Sequence, residues 1–153
     1  MAKIFGMSIG TFVLRLLGAI ISGGVSIVLF LLIPRLVSTQ LPSGIFGFSQ
    51  DQILFYGILI AVLSGLQIIF RDRWLGDAAA IGNGIVQIYY LYTIMNGGVL
   101  AFATGSMDVS VNFAPFLYLL MLPSAFSVVS GVFRVFTRSS MEKFQDAEEI
   151  VLR

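Results

Sequence analysis

Hydrophobic and polar positions along the chain fall into long apolar runs separated by short polar punctuation. Four windows, 16–34, 52–70, 78–103 and 114–133, match the ~20 apolar residues that a helix needs to cross a ~30 Å hydrocarbon core. The first is bounded by Arg15 and Arg35, the second is stopped by R-D-R-W, and the fourth is stopped by Arg134 and Arg138. The runs are too long for barrel strands and lack their alternation. The pattern predicts an all-α integral membrane protein: a bundle of four transmembrane helices over 1–138, followed by a tail over 139–153.

In the tail, Ser139 and Glu142 have capping-box spacing, and Met141, Phe144, Ala147 and Val151 share a face with Lys143, Asp146 and Glu149 elsewhere. A short amphipathic C-terminal helix is expected, resting on the membrane surface or docking a cytoplasmic partner. The first window is not read as a cleaved leader. Its apolar core exceeds the usual ~7–15 residues, and P-R-L-V-S-T-Q is a poor cleavage site. Residues 2–14 are apolar enough to lie in the interface or to extend the first helix. The loop 36–51, with Pro42, Gly44 and Gly47, is too apolar to be fully solvated and is expected to fold back or meet a partner. The connections R-D-R-W-L-G-D and G-S-M-D-V-S-V-N-F-A-P read as brief loops.

The third window breaks the apolar pattern with N-G-I-V-Q-I-Y-Y-L-Y-T-I-M-N-G-G. At helical spacing Asn83, Gln87 and Tyr90 share one face, while Tyr89, Tyr92 and Asn96 lie roughly opposite. The tyrosines fall near the midpoint of 78–103, which argues against an interfacial belt. An amide or hydroxyl without a partner costs several kcal/mol in hydrocarbon. The third helix is therefore expected to be central, with partners among Ser22, Ser26, Ser64, Gln67, Ser124 and Ser127. These polar residues are candidates either for helix packing or for lining a pore.

Small residues one turn apart mark close-packing stripes: Gly18, Ser22 and Ser26; Gly57, Ala61 and Gly65; Ser127 and Gly131. Such stripes join helices within one chain or form a dimer face. Pro123 should kink the fourth helix. Gly97-Gly98 and Gly23-Gly24 are read as sites of close packing rather than helix breaks.

Composition strengthens the membrane reading: 58% of the 153 residues are hydrophobic and 11% charged, with mean hydropathy +0.97. A soluble domain carries roughly 25% charged residues. Of nine Lys and Arg, Lys3, Arg15, Arg71, Arg73, Arg134, Arg138, Lys143 and Arg153 fall on one side of the four spans and Arg35 on the other. That bias puts both termini in the cytoplasm. Arg134 and Arg138 read as a stop signal.

A net charge of +1 gives no case for nucleic acid. The absence of Cys and His removes disulfides, thiol nucleophiles, Cys/His zinc sites and a histidine base. No carboxylate falls near a span centre, and Asp77 is read as favouring a helix N-terminus. No catalytic, cofactor or metal site is expected. The function expected is a non-catalytic membrane subunit or scaffold, embedded in the bilayer and assembling with other membrane subunits or with itself. The alternative is a small homo-oligomeric channel or passive transporter lined by the polar third helix.

Overall fold

Helix-forming runs dominate the computed structural model, which describes residues 3–4, 7–40, 49–104 and 107–151, with side chains for 8–36, 49–99 and 110–138. A two-residue ladder of β1 (Lys3–Ile4) and β2 (Met7–Ser8) precedes α1 (Ile9–Ile27). The Ser8 hydroxyl accepts from the Thr11 N–H (3.3 Å) and starts the helix. A π-helical turn, Val28–Leu32, then joins α1 to α2 (Ile33–Gln40). Pro34 explains it. Its missing N–H and its ring disturb the α-helical ladder, and the local π geometry absorbs the disturbance.

Next comes α3 (Gln50–Ile69), opened by a complete capping box. The Ser49 hydroxyl accepts from the Gln52 N–H, and the Ser49 N–H donates to Gln52 Oε1 (2.9 Å). A tight turn in which the Arg73 N–H donates to the Phe70 carbonyl (2.8 Å) leads into α4 (Trp74–Ile94). Then follow a 3-10 turn at Asn96–Gly98, a hairpin of β3 (Val99–Thr104) with β4 (Met107–Asn112), and α5 (Ala114–Val151).

Among the described residues three helices, not four, are long and apolar enough to cross a membrane: Ile9–Leu36, Gln50–Ile69 and Ala114–Arg138. By length and composition they are the helices of a membrane protein. Although 21 residues long, α4 falls short on apolarity because Asp77, Asn83, Gln87 and its glycines dilute the run. Among the described residues it is also the helix with the most buried positions, including Asp77, Asn83, Gly84 and Tyr90. The bundle is inverted relative to a water-soluble one. Large apolar side chains such as Leu14, Ile21, Phe126 and Phe136 are two-thirds or more exposed, and much of the interior is small or polar.

Three further expectations are corrected. The helix expected over 78–103 ends at Ile94, because Asn96, Gly97 and Gly98 all take positive φ (47°, 68° and 87°). That conformation suits glycine and reverses the chain. The segment 99–112, expected as helix end and brief loop, is instead the β3–β4 hairpin, with Val99 opposite Asn112 and Thr104 opposite Met107. Nor does a separate short amphipathic helix begin at Ser139, for α5 runs unbroken over 38 residues and continues through Pro123. No Gly or Pro interrupts it after Gly131, and extending a helix is far easier than nucleating another. The fold-back expected of loop 36–51 falls mostly on 41–48, outside the described residues.

Candidate functional site: a polar ladder through the bundle

The helices are antiparallel neighbours in chain order, and their contacts establish the register. Gly18 of α1 faces Ile68 of α3, and Gly57 of α3 faces Leu31. Tyr56 and Ser64 of α3 meet Tyr90 and Asn83 of α4. From one end of α4 to the other, Asp77 meets Arg138, Ala80 meets Ser127, and Gln87 meets Ser124 of α5. The start of α1, the α3–α4 turn and Arg138 therefore share one end of the bundle, where Arg15 also pairs with Asp72.

Midway along, five side chains on four helices form a continuous ladder. The Ser26 hydroxyl donates to Ser64 Oγ (3.2 Å), which also accepts from Asn83 Nδ2 (3.0 Å). Gln87 Nε2 donates to Asn83 Oδ1 (3.3 Å), and Gln87 Oε1 accepts from the Ser124 hydroxyl (2.7 Å). Ser26, Ser64, Asn83 and Ser124 are buried, each with less than a tenth of its surface exposed. Spacing makes this possible. Asn83 and Gln87 are one turn apart on α4, so one amide reaches toward α3 and the other toward α5.

Tyr90 is 1% exposed and donates to the Phe30 carbonyl (2.6 Å). In an α-helix the donor to that carbonyl would be the N–H of residue 34, which Pro34 lacks. The tyrosine of one helix thus supplies the bond that a proline removes from another. Around it, Ile53, Ile60 and Ile94 form an apolar cluster with Phe30 and Tyr56 packed against it.

The remaining candidates scatter. Tyr89 and Tyr92 are half exposed, and the early end of α4 places them in its last two turns rather than at a span midpoint. The argument against an interfacial belt therefore fails for both. Asn96 is exposed and lies beyond the helix. Ser22 is half-buried and Gln67 lines a cleft, and neither makes a side-chain hydrogen bond among the described residues.

Of the small residues, Gly65 lies near Ala19 of α1, and the Ala61 carbonyl faces Gly23. A Cβ on Gly57 would come within 2.7 Å of Leu31 Cβ, so the π turn rests directly on it. On α5, Gly131 faces Ile81, and the Ser127 hydroxyl donates to the Ala80 carbonyl (3.5 Å).

Asp77 is the residue whose placement spacing could not reveal. It is 1% exposed, and Arg138 Nη1 lies 3.2 Å from Oδ2, off the hydrogen-bonding line. Neither carboxylate oxygen accepts a directed hydrogen bond among the described residues. Charge, rather than a fitted bond, holds it. Arg138 is thus more than a stop signal. By contrast Asp72 is exposed, and its hydrogen bond with Arg15 holds its carboxyl below the usual carboxylate range.

Among the described residues no three His, Cys, Asp or Glu side chains gather as a metal site would require. No protein-family model, curated protein or solved structure matches the chain.

Proposed function

We propose that this protein is a non-catalytic membrane subunit or scaffold, acting through helix–helix assembly with a larger membrane protein or with its own copies. The observation that carries this reading is the ladder itself. The Asn83 and Gln87 amides bond to Ser64, to Ser124 and to each other. A permeation path would need such neutral groups turned toward passing solute. What the bundle presents outward instead is large and apolar along α1, α3 and α5, a surface for lipid and for other membrane helices. The basic end, with Arg15, Arg71, Arg73, Arg134 and Arg138, faces the cytoplasm under the positive-inside rule.

Native mass spectrometry of the protein extracted from its own membrane in mild detergent tests the reading, with Gln87→Leu alongside. Larger polypeptides in fixed stoichiometry, lost or weakened in Gln87→Leu, are expected. A homo-oligomer that survives Gln87→Leu while liposome flux changes would replace the scaffold with a channel.

A further inference from the structure

Among the residues whose side chains are described, five arginines at the basic end, Arg15, Arg71, Arg73, Arg134 and Arg138, stand with two aspartates, Asp72 and Asp77. Both carboxylates are engaged, Asp72 by Arg15 and Asp77 by Arg138. Between α3, α4 and α5 lies a cleft of about 240 Å³ lined by Gln67, Ile68, Arg71, Gly76 and Arg134. Among the described residues neither Arg71 nor Arg134 has a carboxylate within 4.0 Å. Two guanidinium side chains therefore line one hollow without a carboxylate in ion-pair contact, Asp72 acting on Arg71 only at longer range, an arrangement that like-charge repulsion disfavours until an anion arrives.

The donor set defines the anion. Guanidinium groups present planar forks of N–H donors that match phosphate oxygens, and the Gln67 carboxamide adds a neutral donor and acceptor for an ester or hydroxyl. Position defines its carrier. The cleft lies where a membrane-length apolar helix, α3, reaches its charged end, with Ile68 as an apolar wall. Trp74, the chain's one tryptophan, is 66% exposed at the same end, as befits a residue at headgroup depth. Leu66 and Phe133, next in sequence to Gln67 and Arg134, are exposed and apolar, suited to acyl chains.

We propose that this cleft binds the phosphate of an anionic phospholipid, held by Arg71 and Arg134 with Gln67 beside it. Basic pockets between membrane helices select acidic headgroups on these terms. The proposal is independent of the scaffold reading, since a channel would carry the same cleft.

The test is native mass spectrometry of the detergent-purified chain given equimolar phosphatidylglycerol and phosphatidylcholine. The wild type should retain the glycerol lipid over the choline lipid by about tenfold, and Arg71→Gln/Arg134→Gln should bring the ratio close to unity. Arg35→Gln, a single charge loss at the opposite end that matches each single Gln variant, should leave the ratio unchanged. Arg71→Lys/Arg134→Lys should keep part of the preference. A wild-type ratio near unity, or an undiminished ratio in the double Gln variant, would overturn the proposal. Added inorganic phosphate separates the sources: if it strips the bound lipid, a soluble phosphate ligand replaces the lipid. Both arginines are exposed, so folding should survive. If the double variant nonetheless elutes as aggregate, the single Gln variants decide, each expected to lower the ratio about threefold.

Discussion

Along the seam of α1 with α3, Gly18 and Ile68, Gly65 and Ala19, and Gly23 and the Ala61 carbonyl approach loosely enough that a Cβ added to each glycine would sit 3.4–3.9 Å from its neighbour. Along the seam of α4 with α5, a Cβ on Gly84 would lie 2.7 Å from the Ser124 carbonyl oxygen and 2.5 Å from a Val128 methyl. The same seam contains the Gln87–Ser124 bond, the Ser127 bond to the Ala80 carbonyl and the Asp77–Arg138 pair. Both seams use small residues. The glycine contacts of α1 leave slack that the π turn's seat on Gly57 and the α4–α5 seam do not. Lipid tails are as apolar as the helices, so a membrane bundle has little hydrophobic drive toward a unique arrangement. Here α4 is oriented by several polar and steric contacts against α5, whereas α1 meets α3 through looser glycine contacts and the single Ser26–Ser64 bond.

The charge pair offers the largest effect and the sharpest break. Arg138 is one-third exposed and can turn toward water or headgroups, whereas Asp77 cannot. Arg138→Gln, which strands the buried carboxylate, should cost about 3 kcal/mol. Asp77→Asn, which frees an arginine able to leave, should cost about 1 kcal/mol. Unfolding by SDS titration in mixed micelles would measure both, and equal losses would mean that burial of Asp77 does not control this end of the seam.

A smaller loss, about 2 kcal/mol, is expected for Gly84→Ala, because its new methyl meets backbone that cannot step aside. Thermal melting in detergent would read it, and a neutral result would show that α4 and α5 can separate cheaply. Smallest of all is Gly18→Ala, whose Cβ would meet only the Ile68 side chain at 3.4 Å. Gain in helix propensity of up to ~1 kcal/mol against that mild contact should leave the same melt unchanged or slightly raised. A clear loss there would erase the contrast between the seams.

Apolar run length was sufficient to find the three membrane-length helices, since a 20-residue requirement is satisfied by few alternatives. The four-residue step from Asn83 to Gln87 likewise made a common face legible. What spacing could not say is which serines face them, because Ser64 and Ser124 are brought in by tertiary register. The pairing of Asp77 with Arg138 is hidden for the same reason. The missed hairpin did leave a local signal. Gly105-Ser106 is a two-residue hairpin sequence, and M-D-V-S-V-N after it alternates apolar and polar. It was masked by V-L-A-F-A, which extends the apolar run of α4 and reads as more helix. Polar content, averaged over α4, is what keeps this helix below the apolarity of the other three.

The bond from Tyr90 to the Phe30 carbonyl ties two distant positions into one unit of inheritance. While residue 34 is proline, the hydroxyl of Tyr90 answers a deficit in the backbone of another helix, and phenylalanine there would leave a partly buried carbonyl short of a donor. Once residue 34 regains an N–H, the same phenylalanine becomes tolerable. The order in which the two changes arise thus decides whether a lineage passes through an intact or a damaged intermediate, and proline-first is the open route.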